Sequence, residues 1–117
     1  MHSRFFDRNE FACKCGCGFD VVDIDVHDAL EHVRFTFEKP VIITSGCRCA
    51  KHNKSIGGAE SSQHILGKAV DFRVKDVHES VVASFLESEY PNKFGIGRYK
   101  GRTHLDVRDG KARWDAR

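Results

Sequence analysis

The sequence predicts an α+β domain, a small antiparallel sheet with helices packed on it. Three observations carry that expectation. Val26, Ala29, Leu30, Val33 and Phe37 recur at helical spacing. Phe94 to Tyr99 and Thr103 to Val107 alternate as strands do, and Lys100-Gly101-Arg102 between them is a hairpin signal. The order of the elements, helices interspersed with short strands, fits helices lying on one small sheet.

Each element can be justified in turn. Asp7-Arg8-Asn9-Glu10 reads as a capping box opening a short helical turn. Residues 25–37 should form an amphipathic helix that Pro40 stops. Val41-Ile42-Ile43-Thr44 reads as a short buried strand. Ala50 to Ile56 fits a short helix ended by Gly57-Gly58. Lys68 to Val74 reads as a strand. Asp76-Val77-His78-Glu79 is a second capping box, opening a helix to about Glu89 with Val77, Val81, Phe85 and Leu86 inward. Pro91 follows it, and the hairpin strands close the order.

The chain has 117 residues, the size of one domain, and is expected to be a single domain over residues 1–117. No repeat, linker or low-complexity tract divides it. No apolar run approaches the roughly 20 residues of a membrane helix. The start, MHSRFFDRNEF, has no apolar segment of signal-peptide length, so a product made in a cytoplasm is expected. Net charge is +2, from 19 basic and 17 acidic residues. That balance, with the basic residues scattered, argues against a dedicated nucleic-acid binder. A monomer is the expected state.

Asp71 raises the chemical question. It interrupts the apolar stretch Ala69-Val70-Asp71-Phe72, and a buried carboxylate must be paired or bound to a metal. Side chains at i and i+2 share one face of a strand. Val70, Phe72 and Val74 therefore oppose Ala69, Asp71 and Arg73. Thr103, Leu105 and Val107 likewise oppose His104, Asp106 and Arg108. In one sheet, Asp71, His104 and Asp106 can converge, with His64 folded over them from the preceding turn. Two histidines and a carboxylate with an open position make a catalytic zinc site. His2, His27, His32, His52 and His78 are read as ordinary surface or core residues.

Ser62-Gln63-His64-Ile65-Leu66-Gly67-Lys68-Ala69-Val70-Asp71 fits the pattern S-x-H-x-x-G-x-A-x-D. It resembles the zinc signature of the D-Ala-D-Ala carboxypeptidases and related L-alanyl-D-glutamate peptidases, whose fold is shared with the hedgehog signalling domain. "KPVIITSGCRCAKHNKSIGGAESSQHILGKAVDF" resembles the central block of that family, and "GIGRYKGRTHLDVR" its closing hairpin. The resemblance implies a hedgehog/DD-peptidase-like fold, with zinc bound by His64, Asp71 and His104. It also implies that Arg48 steadies a substrate oxygen beside the metal, a role suited to a planar, always-charged guanidinium.

One departure stands out. Many relatives carry H-x-H in the last strand, or an acidic residue three positions before the ligand histidine. Here Arg102 and Gly101 stand there. Asp106 then becomes the nearest carboxylate that could serve as general base; the alternative is that it orients a ligand histidine. Glu60 is a further candidate. Gly95 and Gly97 share a strand face with Tyr99, and their missing side chains would leave room for a peptide if that face lines the groove.

Five cysteines cluster as Cys13-Lys14-Cys15-Gly16-Cys17 and Cys47-Arg48-Cys49. Free thiols, a disulfide between the clusters and a second zinc are all open, and a structural role fits better than a catalytic one. The expected function is a zinc metallopeptidase cleaving amide bonds in peptidoglycan stem peptides, acting on the cell wall as a phage or prophage enzyme would. The alternative is a non-catalytic zinc-binding recognition module of the same fold. D-Ala-D-Ala, L-Ala-D-Glu and cross-bridge bonds all remain open as the bond cut.

Overall fold

In the computed structural model, which describes residues 5–18, 20–58 and 62–117, the predicted elements recur with small shifts at their ends. In chain order they are α1 (Ile24–Phe37), β1 (Val41–Ser45), α2 (Ala50–Ser55), β2 (Ala69–Val74), α3 (Glu79–Glu89), β3 (Phe94–Tyr99), β4 (Arg102–Asp106) and β5 (Lys111–Asp115). Short 3-10 turns at Arg8–Phe11 and Gln63–Leu66 complete the order.

Local chemistry explains most boundaries. Asp23 caps α1 by accepting from the Asp25 amide at 2.8 Å, and Glu38 ends it in the left-handed conformation just before Pro40. Glu10 accepts from the Asp7 amide at 2.7 Å, as a capping box requires. The second box behaves differently. His78, not Asp76, caps α3, and Nδ1 of its ring accepts from the Ser80 amide at 3.1 Å. Leu86 is buried as expected and Val77 and Phe85 pack partly buried against the core, but Val82 and Ala83 fill the rest of the buried face and Val81 is exposed.

The strands form one sheet in the order β1-β2-β4-β3-β5. The first four pair antiparallel, as expected. β5 was not foreseen; it joins the edge parallel to β3 and makes the sheet mixed. Val70, Phe72, Val74, Ile96 and Leu105 cover one face and pack under Val26, Leu30 and Val33 of α1 and Val82, Ala83 and Leu86 of α3. Burying such aliphatic and aromatic side chains stabilises by about 1.5–3 kcal/mol each. The helices seal this face, so the polar alternates are forced onto the other one.

Register then decides what meets on that other face. Ser45 of β1 pairs with Asp71, Asp71 with His104, His104 with Gly97 and Gly97 with Trp114. One row of residues thus crosses all five strands. The next row holds Ala69, Asp106, Gly95 and Ala112. A bulge between Ile43 and Ser45 bends β1 where the chain turns into Gly46-Cys47-Arg48.

Candidate metal and peptidase site

His64, Asp71 and His104 converge at the centre of this row. One potential ligand atom from each lies within 4.8 Å of the others. Asp71 Oδ1 is 2.8 Å from His104 Nδ1, and Asp71 Oδ2 is 3.4 Å from His64 Nε2. Ligands about 2.0–2.1 Å from one tetrahedral ion stand roughly 3.4 Å apart, so the His64 separation matches the spacing zinc requires and the His104 hydrogen bond is shorter than it.

Each histidine has its remote nitrogen held by an acceptor. His64 Nδ1 donates to the Gly46 carbonyl at 2.6 Å, and His104 Nε2 donates to Asp106 Oδ2 at 2.8 Å. This assignment of the ring protons would leave the lone pairs of His64 Nε2 and His104 Nδ1 free for a metal beside Asp71. A partner of this kind on the far ring nitrogen is the usual companion of a metal-bound imidazole. The buried His64 Nε2 has no hydrogen bond at all. An orphaned buried acceptor beside a carboxylate is what a cation would satisfy.

The backbone fixes His64 from two sides. Ser62 Oγ accepts from the His64 amide at 3.1 Å, and the His64 carbonyl accepts from the Arg48 amide at 2.9 Å. The second bond ties the loop after β1 to the turn before β2.

Electrostatics follows from the crowding. Burial pushes the Asp71 carboxyl up, but its hydrogen bond with His104 and the nearby His64 ring outweigh it and hold the group well below the usual carboxylate range. Burial pushes His104 down, yet its bonds with Asp106 and Asp71 leave it raised. A metal would replace that proton at Nδ1.

Arg48 reaches the same centre. Its Nη2 lies 3.6 Å from Asp71 Oδ2. Nη1 donates to the buried Asn53 at 3.0 Å and Nε to Ser45 Oγ at 3.3 Å. The guanidinium is thereby clamped along one edge. Arg102 lines the same cleft and lies over the Tyr99 ring, 4.3 Å from its centroid.

Asp106 is fully buried beside His104. Its Oδ2 takes His104 Nε2 and Arg108 Nη2, while its Oδ1 takes Arg108 Nε at 2.7 Å. Both oxygens are engaged in strong charge-assisted bonds. Burial pushes this carboxyl up, and His104 and Arg108 more than reverse that. Glu60, the other candidate, lies outside the described residues.

The open groove over Gly95 and Gly97 is not found. A Cβ on Gly95 would stand 2.6 Å from Asp106 Oδ2, and one on Gly97 would stand 2.7 Å from Trp114 Cζ2. The two glycines make room for the chain's own side chains. The row of strands explains why, since β5 lays Trp114 across Gly97 toward His104.

The chain matches the family model described as Peptidase M15 over residues 4–106. It belongs to the Peptidase M15 family. No curated protein matches it. The M15 match covers Arg48, His64, Asp71, His104 and Asp106 and leaves out Arg108 and β5. The sequence had not singled out Trp114, which lies beyond the match. The indole sits 5.1 Å from the His104 ring, receives the Arg108 guanidinium on its face at 5.3 Å and donates from Nε1 to the Tyr99 hydroxyl at 2.8 Å. The available signal was a lone tryptophan at the end of a chain whose β3 carries two glycines on one face.

Proposed function

We propose that this M15 peptidase is a zinc enzyme that hydrolyses amide bonds in the stem peptides of peptidoglycan, with His64, Asp71 and His104 as the metal ligands. The observation that carries the proposal is the orphaned His64 Nε2, aimed at Asp71 and His104. Zinc bound there would act as a Lewis acid that activates water and polarises the scissile carbonyl.

The chain's own residues supply the rest. Arg48, held by Asn53 and Ser45, offers its remaining N–H groups to the oxygen on which charge develops. Arg102 adds positive charge to the cleft. Two arginines favour substrates that carry carboxylates, and stem peptides do. Asp106 keeps His104 in the Nε2–H tautomer and does not itself take the proton of water, because Arg108 and His104 already occupy both oxygens.

The same observation supports a second reading, a zinc-binding recognition module without turnover. Among the described residues lining the cleft, both carboxylates, Asp71 and Asp106, are committed to His or Arg partners. Digestion of purified peptidoglycan by zinc-loaded protein separates the two. New amino and carboxyl termini, located by mass spectrometry, support the peptidase and identify its bond. Retention on peptidoglycan with no new termini supports the recognition module.

A further inference from the structure

A second group of ligating side chains stands apart from the site just described. Cys13 Sγ lies 3.5 Å from Cys15 Sγ and 3.8 Å from Cys49 Sγ, and the sulfurs of Cys15 and Cys49 are 3.6 Å apart. Cys17 completes the group, with all four sulfurs within 4.8 Å of one another. All four are free thiols. Four thiolates at about 2.3 Å from one zinc occupy the corners of a tetrahedron whose edges are about 3.8 Å. The three measured edges fall close to that value.

We propose that Cys13, Cys15, Cys17 and Cys49 hold a second zinc ion in a closed, structural site.

Three further features fit a single tetrahedral ion. Lys14 to Gly18 are exposed, so apolar burial does not explain why Cys15 and Cys17 gather with Cys13 and Cys49. A shared ion does. Backbone amides point at two of the sulfurs, Cys49 N at Cys13 Sγ and His52 N at Cys49 Sγ, each at 3.4 Å. Such donors favour thiolate over thiol. Four thiolates on one zinc leave a net charge of −2, and Lys51 and His52 line the hollow beside Cys15, Cys17 and Cys49. The all-sulfur tetrahedral set selects a soft ion such as zinc over a hard oxygen-seeking one. Cys47 is not in the group; it is buried, with its amide on the Phe11 carbonyl at 2.9 Å.

The ion would brace the peptidase site without touching it. Cys13 belongs to the N-terminal segment and Cys49 follows Arg48 directly. The same short loop supplies the Gly46 carbonyl that holds His64 Nδ1 and the Arg48 amide that holds the His64 carbonyl. Four ligands with no open position give a structural rather than a catalytic ion.

Metal content and cobalt spectra of the full chain test this. Protein purified under reductant should carry two zinc ions, His64→Ala one, and the double variant Cys15→Ser/Cys17→Ser one. Replacement by cobalt should give near-ultraviolet thiolate-to-cobalt charge transfer in the wild type and in His64→Ala, and none in the cysteine variant. The His/Asp/His site has no sulfur and cannot produce that band. A His64→Ala protein that still holds two zinc ions would refute the proposed peptidase centre and leave this second site standing. Should the cysteine variant fold poorly, the unaltered protein supplies an independent readout. Modification of its thiols should release one zinc per chain while the other stays bound. Absence of the charge-transfer band, thiol modification without zinc release, or a disulfide mapped within the group in reductant-purified protein each overturns the proposal.

Discussion

His104 and Asp106 stand two positions apart on β4 and are joined through the side of the imidazole that faces away from Asp71, His104 Nε2 to Asp106 Oδ2 at 2.8 Å. Neighbours on one strand face normally point side by side. Here Gly95, opposite Asp106, leaves space for the carboxylate to reach the ring. The pair therefore fixes which nitrogen of His104 is free for a metal.

Asp106→Asn should consequently weaken metal binding more than chemistry. Loss of such a partner typically costs 10–100-fold in metal affinity or activity. Turnover in the variant should recover in part as zinc is added, and competition with a chelator should show the weaker binding directly. A variant with unchanged zinc affinity and a hundredfold loss of turnover would return Asp106 to the role of base.

Gly95→Ala tests the same pair from the opposite strand. A methyl group there meets both Asp106 oxygens, which His104 and Arg108 hold in place. Overpacking of this kind costs about 1–3 kcal/mol. For a domain near this size the melting temperature should fall by roughly 4–8 °C for each kcal/mol. Metal affinity should fall with it. An unshifted melting curve with full zinc affinity would mean that the carboxylate is free to move.

How far the sequence disclosed all this depends on the element. β2 and β4 alternate cleanly, so Asp71, His104 and Asp106 could be placed on one face before their register was known. The turn holding His64 was legible as the segment just before β2, and Ser62 to Asp71 carried the family signature. Less was legible where the signal lay in long-range pairing. The glycines of β3 read as empty space, because no local pattern showed that β5 would bring Trp114 to Gly97. His78 replaced Asp76 as the cap of α3, since a histidine nitrogen can accept from an amide as a carboxylate does. The gathering of Cys49 with the cysteines at 13, 15 and 17 depends on a tertiary contact, and spacing alone left three states open.

Arg48→Ala should lower turnover by about 10²–10³-fold, the usual effect of removing one donor to a developing oxyanion. Zinc should stay bound, because the histidine and aspartate ligands keep their own supports. Burial pushes the Arg48 pKa down while Asp71 opposes that, and an arginine remains charged throughout the accessible range. Arg48→Lys should not restore activity, since one ammonium cannot reach Asn53, Ser45 and a substrate oxygen together. Equal rates for wild type and alanine variant on peptidoglycan would remove Arg48 from the mechanism.

Trp114 provides the last test, because it lies outside the residues matched to the family. Its ring packs on His104 and covers Gly97, while its N–H binds the Tyr99 hydroxyl at 2.8 Å. These two functions can be separated. Trp114→Phe keeps an aromatic face over Gly97 and loses the N–H. Trp114→Ala loses both and uncovers the site side of β3. If packing matters most, Trp114→Phe should keep most of the stability, whereas Trp114→Ala should cost about 3–5 kcal/mol, the usual range for a packed tryptophan, reduced here by its partial exposure. If the hydrogen bond matters most, both variants should release Tyr99 and raise KM alike, since Tyr99 and Arg102 line the cleft together. Thermal unfolding and steady-state kinetics on the two variants distinguish these outcomes. Wild-type stability and kinetics in Trp114→Ala would show that β5 merely closes the edge of the sheet and contributes nothing to the site.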